Sequence, residues 1–258
     1  MTPVVAGMIS GDRSSFYGVG FYSLQDTLWD DKGRHYFNSC TIEGDMDFIF
    51  GVGQSLYEVI ISCSISVCEA YPGKAIIGFI TAQGRMNVDD ENGFVFKNCN
   101  IHGFGKTYLG TPWRSYARVL FYKTTMSSII QPLGWQPWNS SVDGGVEFSE
   151  YDNMGPGSAL SGRVSWLKKL DSSTLMKMTS TEFVARNGES GEVEKYCGRF
   201  LMVATGETSD PFVLAMEALS SFPGKVIHST RFKSGKEFKD EHVFVVGAEN
   251  SKREKEER

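Results

Sequence analysis

Residues 16 to about 125 carry hydrophobic and polar positions in short alternating runs, rich in Phe, Tyr, Ile, Val and Gly. Turn residues close each run, and no helical period persists. One pattern recurs: an aromatic, two polar residues, a cysteine, a polar residue, isoleucine, a polar residue and glycine. It reads Phe37-Asn38-Ser39-Cys40-Thr41-Ile42-Glu43-Gly44 and returns as Phe96-Lys97-Asn98-Cys99-Asn100-Ile101-His102-Gly103. Tyr57-Glu58-Val59-Ile60-Ile61-Ser62 is a degenerate copy between them. Val19-Gly20-Phe21-Tyr22-Ser23 realigns with Cys40-Thr41-Ile42-Glu43-Gly44 at an offset of 21 positions. A repeat near this length, with one strand and turn signature, predicts a parallel β-helix. Residues 126–170 stay strand- and loop-like, with Gly, Pro and the Trp135/Trp138 pair.

The same 21-residue offset separates Asp26, in Gln25-Asp26-Thr27-Leu28-Trp29, from Asp47, in Gly44-Asp45-Met46-Asp47-Phe48-Ile49-Phe50-Gly51. If the repeat is one coil, the two carboxyls sit on neighbouring rungs, about 4.8 Å apart along the sheet. Two carboxylates that close cannot both ionise freely; one is pushed towards the neutral acid. An acid beside a nucleophile suits chemistry on one substrate.

Bulk properties narrow the classes. The chain has 258 residues, 41% hydrophobic and 22% charged, as in ordinary globular proteins. A net charge of −5 argues against a nucleic-acid partner. No apolar run approaches membrane-spanning length, and Met1 to Met8 lacks the basic start of an export signal. Five cysteines, an odd count, do not make a disulfide scaffold, and no Cys/His spacing matches a zinc site. Cys40 and Cys99, in alternating runs, are expected as buried thiols.

Composition changes near residue 188, where Gly188-Glu189-Ser190-Gly191-Glu192 reads as a linker. Beyond it, Arg199–Gly206 and Val243–Gly247 read as buried strands, and Ser251–Arg258 as a solvated helix or frayed tail.

The ordered motifs resemble plant pectin methylesterases. They are Gly11–Tyr17, Gln25–Asp30, Gly33–Phe37, Asp47–Gly51, Ile80–Arg85, Thr107–Gly110 and Arg163–Trp166. The match covers roughly residues 4–186. The resemblance implies an all-β, right-handed parallel β-helix over 1–188 with its N-terminal coils missing. It implies hydrolysis of galacturonate methyl esters to carboxylate and methanol. It places Asp47 as nucleophile, Asp26 as general acid and then base, and Gln25 as oxyanion donor. Trp29, Phe50, Trp113 and Trp135 fall at aromatic positions that could stack on sugar rings. The implied partner is methylated homogalacturonan in the cell wall, acted on by a monomer without cofactor, metal, nucleic acid or membrane.

Three departures from that pattern stand out. The motif Leu-Gly-Arg-Pro-Trp is here Leu109-Gly110-Thr111-Pro112-Trp113, so the arginine that would hold the nucleophile is absent. Without it, Asp47 is expected to have a raised pKa and a looser orientation. Neither Arg114 nor Arg118 substitutes automatically, because a strand sends alternate residues to opposite faces. A second oxyanion glutamine of the pattern falls at Pro3, and losing one such donor typically costs about 10²–10³ in rate. The pattern also begins well upstream of Met1, from which low stability and weak or no activity are expected.

Residues 192–251 resemble an internal piece of plant flavin monooxygenases of the auxin-synthesis type. The carriers are Tyr196–Glu207, Phe222–Thr230 and Val245-Val246-Gly247. The dinucleotide glycine motif is broken at Glu249 and Lys252, so residues 189–258 are expected to form a small α/β-like or partly disordered appendage without cofactor binding. Three further readings are weighed beside the esterase. They are a non-catalytic pectin-binding β-helix, favoured by Thr111 and Pro3; an oxidoreductase, resting on the tail alone; and a polysaccharide lyase, for which no acidic Ca²⁺ cluster is visible.

Overall fold

The computed structural model describes residues 5–58, 64–67, 77–137, 144–185 and three later strands at 200–203, 225–228 and 243–246. Pro3, Trp138, the linker near 188 and the tail after 246 lie outside these residues.

Three parallel sheets form the walls of a right-handed β-helix, the hand that parallel crossovers take. Strands are numbered in chain order. The first sheet runs β1 (Gly7–Ile9), β4 (Leu28–Asp30), β7 (Ile49–Gly51), β10 (Ile77–Gln83) and β13 (Lys106–Pro112). The second holds β2 (Ser14–Tyr17), β5 (Arg34–Asn38), β8 (Gln54–Glu58), β11 (Gly93–Lys97), β14 (Arg118–Tyr122) and β16 (Glu147–Tyr151). The third holds β3 (Gly20–Tyr22), β6 (Thr41–Gly44), β9 (Ser64–Val67), β12 (Asn100–Gly103) and β15 (Thr125–Met126). The expected architecture and its 21-residue register are both present: Phe16 pairs with Phe37, Phe21 with Ile42 and Leu28 with Ile49.

The coil turns sharply between the second and third sheets, and one residue makes the corner. Gly18, Ser39, Asn98, Lys123 and Asp152 all occupy the left-handed region there, with φ from 51° to 64°. A single left-handed residue redirects a strand within one step, and Asn or Asp accepts it at lower cost than branched residues. The inner face is apolar. Phe16, Phe37, Tyr57, Phe96 and Phe121 stack rung upon rung, with ring centroids 4.5–5.0 Å apart. Cys40 and Cys99 are buried beside this column, as expected.

Outside the second sheet, helix α1 (Ser172–Thr179) is capped by Asp171, which accepts from the amides of Ser173 and Thr174. Met178, with Phe183 just beyond, buries against Leu56, Val95 and Leu120. The motif Arg163–Trp166 closes the last coils. Arg163 pairs both carboxylate oxygens of buried Glu150 at 2.8 and 3.0 Å, and Trp166 packs on Phe148.

Near the C-terminus, β17 (Phe200–Val203) lies between β18 (Lys225–His228) and β19 (Val243–Val246) in a separate parallel sheet. Two of these strands fall in the runs read from the sequence as strands.

Candidate active site

Each of the two candidate acids precedes a strand of the first sheet by two residues. Gln25 bridges to Met46, and the Asp26 amide donates to the Met46 carbonyl at 3.2 Å. Asp26 and Asp47 therefore stand opposite each other on adjacent rungs, about 4.8 Å apart by strand spacing. Both backbones are left-handed, with φ of 55° and 47°. For a non-glycine residue this costs about 1–3 kcal/mol and persists where surrounding structure enforces it. Thr27 supplies part of that enforcement: its buried hydroxyl donates to the Glu43 carbonyl at 2.9 Å, tying one acid's turn to the coil that carries the other.

The far end of each strand is also fixed. Buried Asp30 accepts from the Tyr57 hydroxyl at 2.8 Å and lies 2.5 Å from His35 Nδ1. On the next rung, Gly51 sits at φ 130°, and a Cβ there would lie 1.9 Å from the Asp30 carbonyl oxygen. No side chain fits that approach. Trp29 and Phe50, one residue earlier on these two rungs, are thereby held in register.

Electrostatically the pair is starved of cations. Burial, then the Asp26 charge, pushes the Asp47 carboxyl up to about 7. Burial raises Asp26 as well. Asp47 Oδ1 is buried without a hydrogen-bond partner. Thr111 stands where the resembled pattern has an arginine. It is buried in β13, aligned through Ala82 with Phe50, so it lies two rungs from β7. That separation is about 9–10 Å by strand spacing, beyond the reach of a threonine hydroxyl. Two arginines of the adjoining coils, Arg118 and Arg85, are committed elsewhere. Arg118 Nε donates to Glu147 at 2.6 Å, and buried Arg85 lies 3.1 Å from the same carboxylate.

The aromatics sort differently from their sequence assignment. Trp29 and Phe50 stack at 5.6 Å, and Trp113 meets Phe50 edge-on at 6.4 Å. These three half-buried rings border the acid pair. Trp135 does not join them. It is fully buried, donates its indole N–H to Glu150 at 2.9 Å, and packs on Phe148 at 4.3 Å. It offers no face to a sugar, and its assignment as a stacking residue is corrected to core.

Two features were missed from sequence. Phe79 and Tyr108 stack at 5.5 Å on the rungs beyond Asp47, with the Phe79 amide bonded to the Asp45 carbonyl. The register of β10 would have shown them, but its coil is longer than 21 residues. Gln83, in the motif Ile80–Arg85, is fully buried. Its Oε1 accepts from the amides of Arg85 and Arg118 at 3.0 and 2.8 Å, holding the turn that carries Trp113's neighbours. Among the described residues no cluster of His, Cys, Asp or Glu has metal-binding geometry.

Residues 2–188 match the family model described as Pectinesterase. Over 187 residues the chain is 49% identical to "Probable pectinesterase 55" of Arabidopsis thaliana, covering 72% of this chain and 56% of that one. It is 46% identical to "Probable pectinesterase 29" of the same plant over 188 residues, covering 72% and 55%. Among solved structures, pectin methylesterase from carrot superposes with a TM-score of 0.62 at 32% identity, over 67% of this chain and 57% of that one. The chain thus spans just over half the length of these relatives. The acids on neighbouring rungs, the coil register and the sequence match agree: this chain belongs to the pectinesterase family.

Proposed function

We propose that the chain is a carboxylic ester hydrolase that removes methyl groups from galacturonate units of pectin. The observation that carries this is the opposition of Asp26 and Asp47 on adjacent rungs, with Gln25 in the same turn and an aromatic wall beside them. The Asp47 carboxylate attacks the ester carbonyl carbon. The Gln25 amide donates to the oxygen that gains charge. Collapse breaks the bond to methoxide, which takes the Asp26 proton and leaves as methanol. Asp26, now anionic, removes a proton from water, and the resulting hydroxide cleaves the acyl anhydride at Asp47. The product leaves as the uronic acid and gives its proton to solvent, with Asp47 anionic and Asp26 protonated again.

This sequence needs Asp47 ionised while Asp26 holds the proton. The environment favours the opposite assignment, because Asp47 is the more buried acid and no cation faces it. The productive microstate is therefore a minority of the singly protonated pair and is lost above about pH 7, and reduced activity follows from Thr111. A second reading rests on the same observation: a β-helix that binds pectin through its aromatic wall without turning it over. Methanol release from highly methylated pectin, beside an Asp47→Asn control, separates the two. Release by the wild type alone supports the esterase. Binding without release supports the second reading.

The proposal extends to a monomer acting at the plant cell wall, with residues 189–258 outside the catalytic unit. Among the described residues no helix is long and apolar enough to cross a membrane.

A further inference from the structure

Arg114 follows Trp113 just beyond β13, and its guanidinium carbon lies 4.9 Å from the Trp113 ring centroid, over the ring. Its main chain is fixed by a turn, since the Arg114 carbonyl accepts from the Ala117 amide at 3.1 Å. Trp113 is fixed in turn. Its amide donates to the Gln83 carbonyl at 3.1 Å, and its ring lies so close to Gly84 that a Cβ there would sit 2.7 Å away. Arg114 is exposed. No carboxylate pairs with it among the described residues, whereas Arg34, Arg85, Arg118 and Arg163 all hold ion pairs. The guanidinium thus stands one ring away from Phe50, which is three residues from Asp47, with its hydrogen-bond donors unspent.

We propose that Arg114 is a specificity-determining residue that binds the free carboxylate of an unesterified galacturonate unit neighbouring the scissile ester. The inference rests on the pectin reading above and deepens it. A chain of net charge −5, with two carboxyls in its cleft, repels an anionic polymer. A planar guanidinium offers a carboxylate two parallel hydrogen bonds, and a methyl ester presents no matching charge. Stacking on Trp113 pre-sets the fork and lowers the ordering cost of binding. Each turnover then creates the carboxylate that Arg114 recognises, so de-esterification favours units next to those already processed.

The test measures binding, so it does not depend on turnover. Unesterified and fully methyl-esterified oligogalacturonides of equal length are titrated calorimetrically into the wild-type chain and into Arg114→Gln, with thermal melts confirming that both are folded. The expected result is a loss of about three- to tenfold for the unesterified oligomer and less than about twofold for the esterified one. The wild-type preference should also shrink between about 0.05 and 0.3 M salt, and the variant's should not. Equal losses for both oligomers, or none, would overturn the proposal. Binding of neither oligomer by the wild type would instead bring down the pectin reading, and this proposal with it.

Discussion

A carboxyl with a buried, unpartnered oxygen holds its proton, and Asp47 is that carboxyl. The rate of methanol release should accordingly fall as pH passes through about 7, where the pair loses its last proton and Asp26 has none left to donate. Thr111→Arg should move this limb downward by a unit or more and raise the rate at pH 6 by about tenfold. A pH–rate profile that does not shift in the variant would show that position 111 does not act on the nucleophile. The same group has a consequence for stability. Its folded pKa lies above the unfolded value, so the folded state binds the extra proton between about pH 4 and pH 7. Stability from this group is present at low pH and is lost as pH rises through the folded pKa. Asp47→Asn removes the charge, and it should stabilise the chain by about 1–2 kcal/mol at pH 8 while making no gain at pH 4. Urea midpoints at the two pH values check this.

Strands are where sequence and structure agree most closely, and the reason is the period. Twenty-one-residue coils repeat Phe37 to Gly44 in phase with their neighbours, so the register of Asp26 against Asp47 could be counted off. Longer coils hid Phe79 and Tyr108. Trp135 was hidden for another reason. Set among Gly134, Gln136 and Pro137, it has the local look of a surface turn, and its burial depends on Glu150 and Phe148 from the next rung. Thr111 was legible as a missing cation. That Arg85 and Arg118 would both be spent on Glu147 was not, because that pairing joins separate coils. The two tryptophans should therefore fail differently. Trp135→Phe should lower stability by about 1–3 kcal/mol, through the lost ring volume and the lost indole hydrogen bond to Glu150, with KM within about twofold of wild type. Trp113→Ala should raise KM about fivefold or more with a smaller effect on the melt. Denaturation and initial-rate measurements on both variants decide the assignment.

At the scale of the molecule, the β-helix and its outer helix form one cohesive body, and the two C-terminal cuts should separate cleanly. A chain ending at residue 188 retains α1 and should keep the full rate of methanol release per folded mole. A chain ending at Leu170 loses the contacts of Met178 and Phe183 on Leu56, Val95 and Leu120. Burial of each such side chain is worth about 1.5–3 kcal/mol, so the shorter chain should melt well below the longer one or fail to fold. Equal melting points for the two would show that α1 contributes nothing to the β-helix.

The column of rings from Phe16 to Phe121 has a consequence for how such a chain can change over time. Its rungs keep nearly one spacing, although the stretch of sequence between Tyr57 and Phe96 is almost twice that between Phe16 and Phe37. Most of that added length lies between strands. A deletion of one residue inside a strand would turn every inward ring on that rung outward, whereas whole loops can come and go. Mutation by insertion is therefore filtered much as a reading frame filters it. The filter's unit is the coil, and chains of this architecture are free to lengthen or shorten by complete turns while the chemistry on the surviving rungs stays in phase.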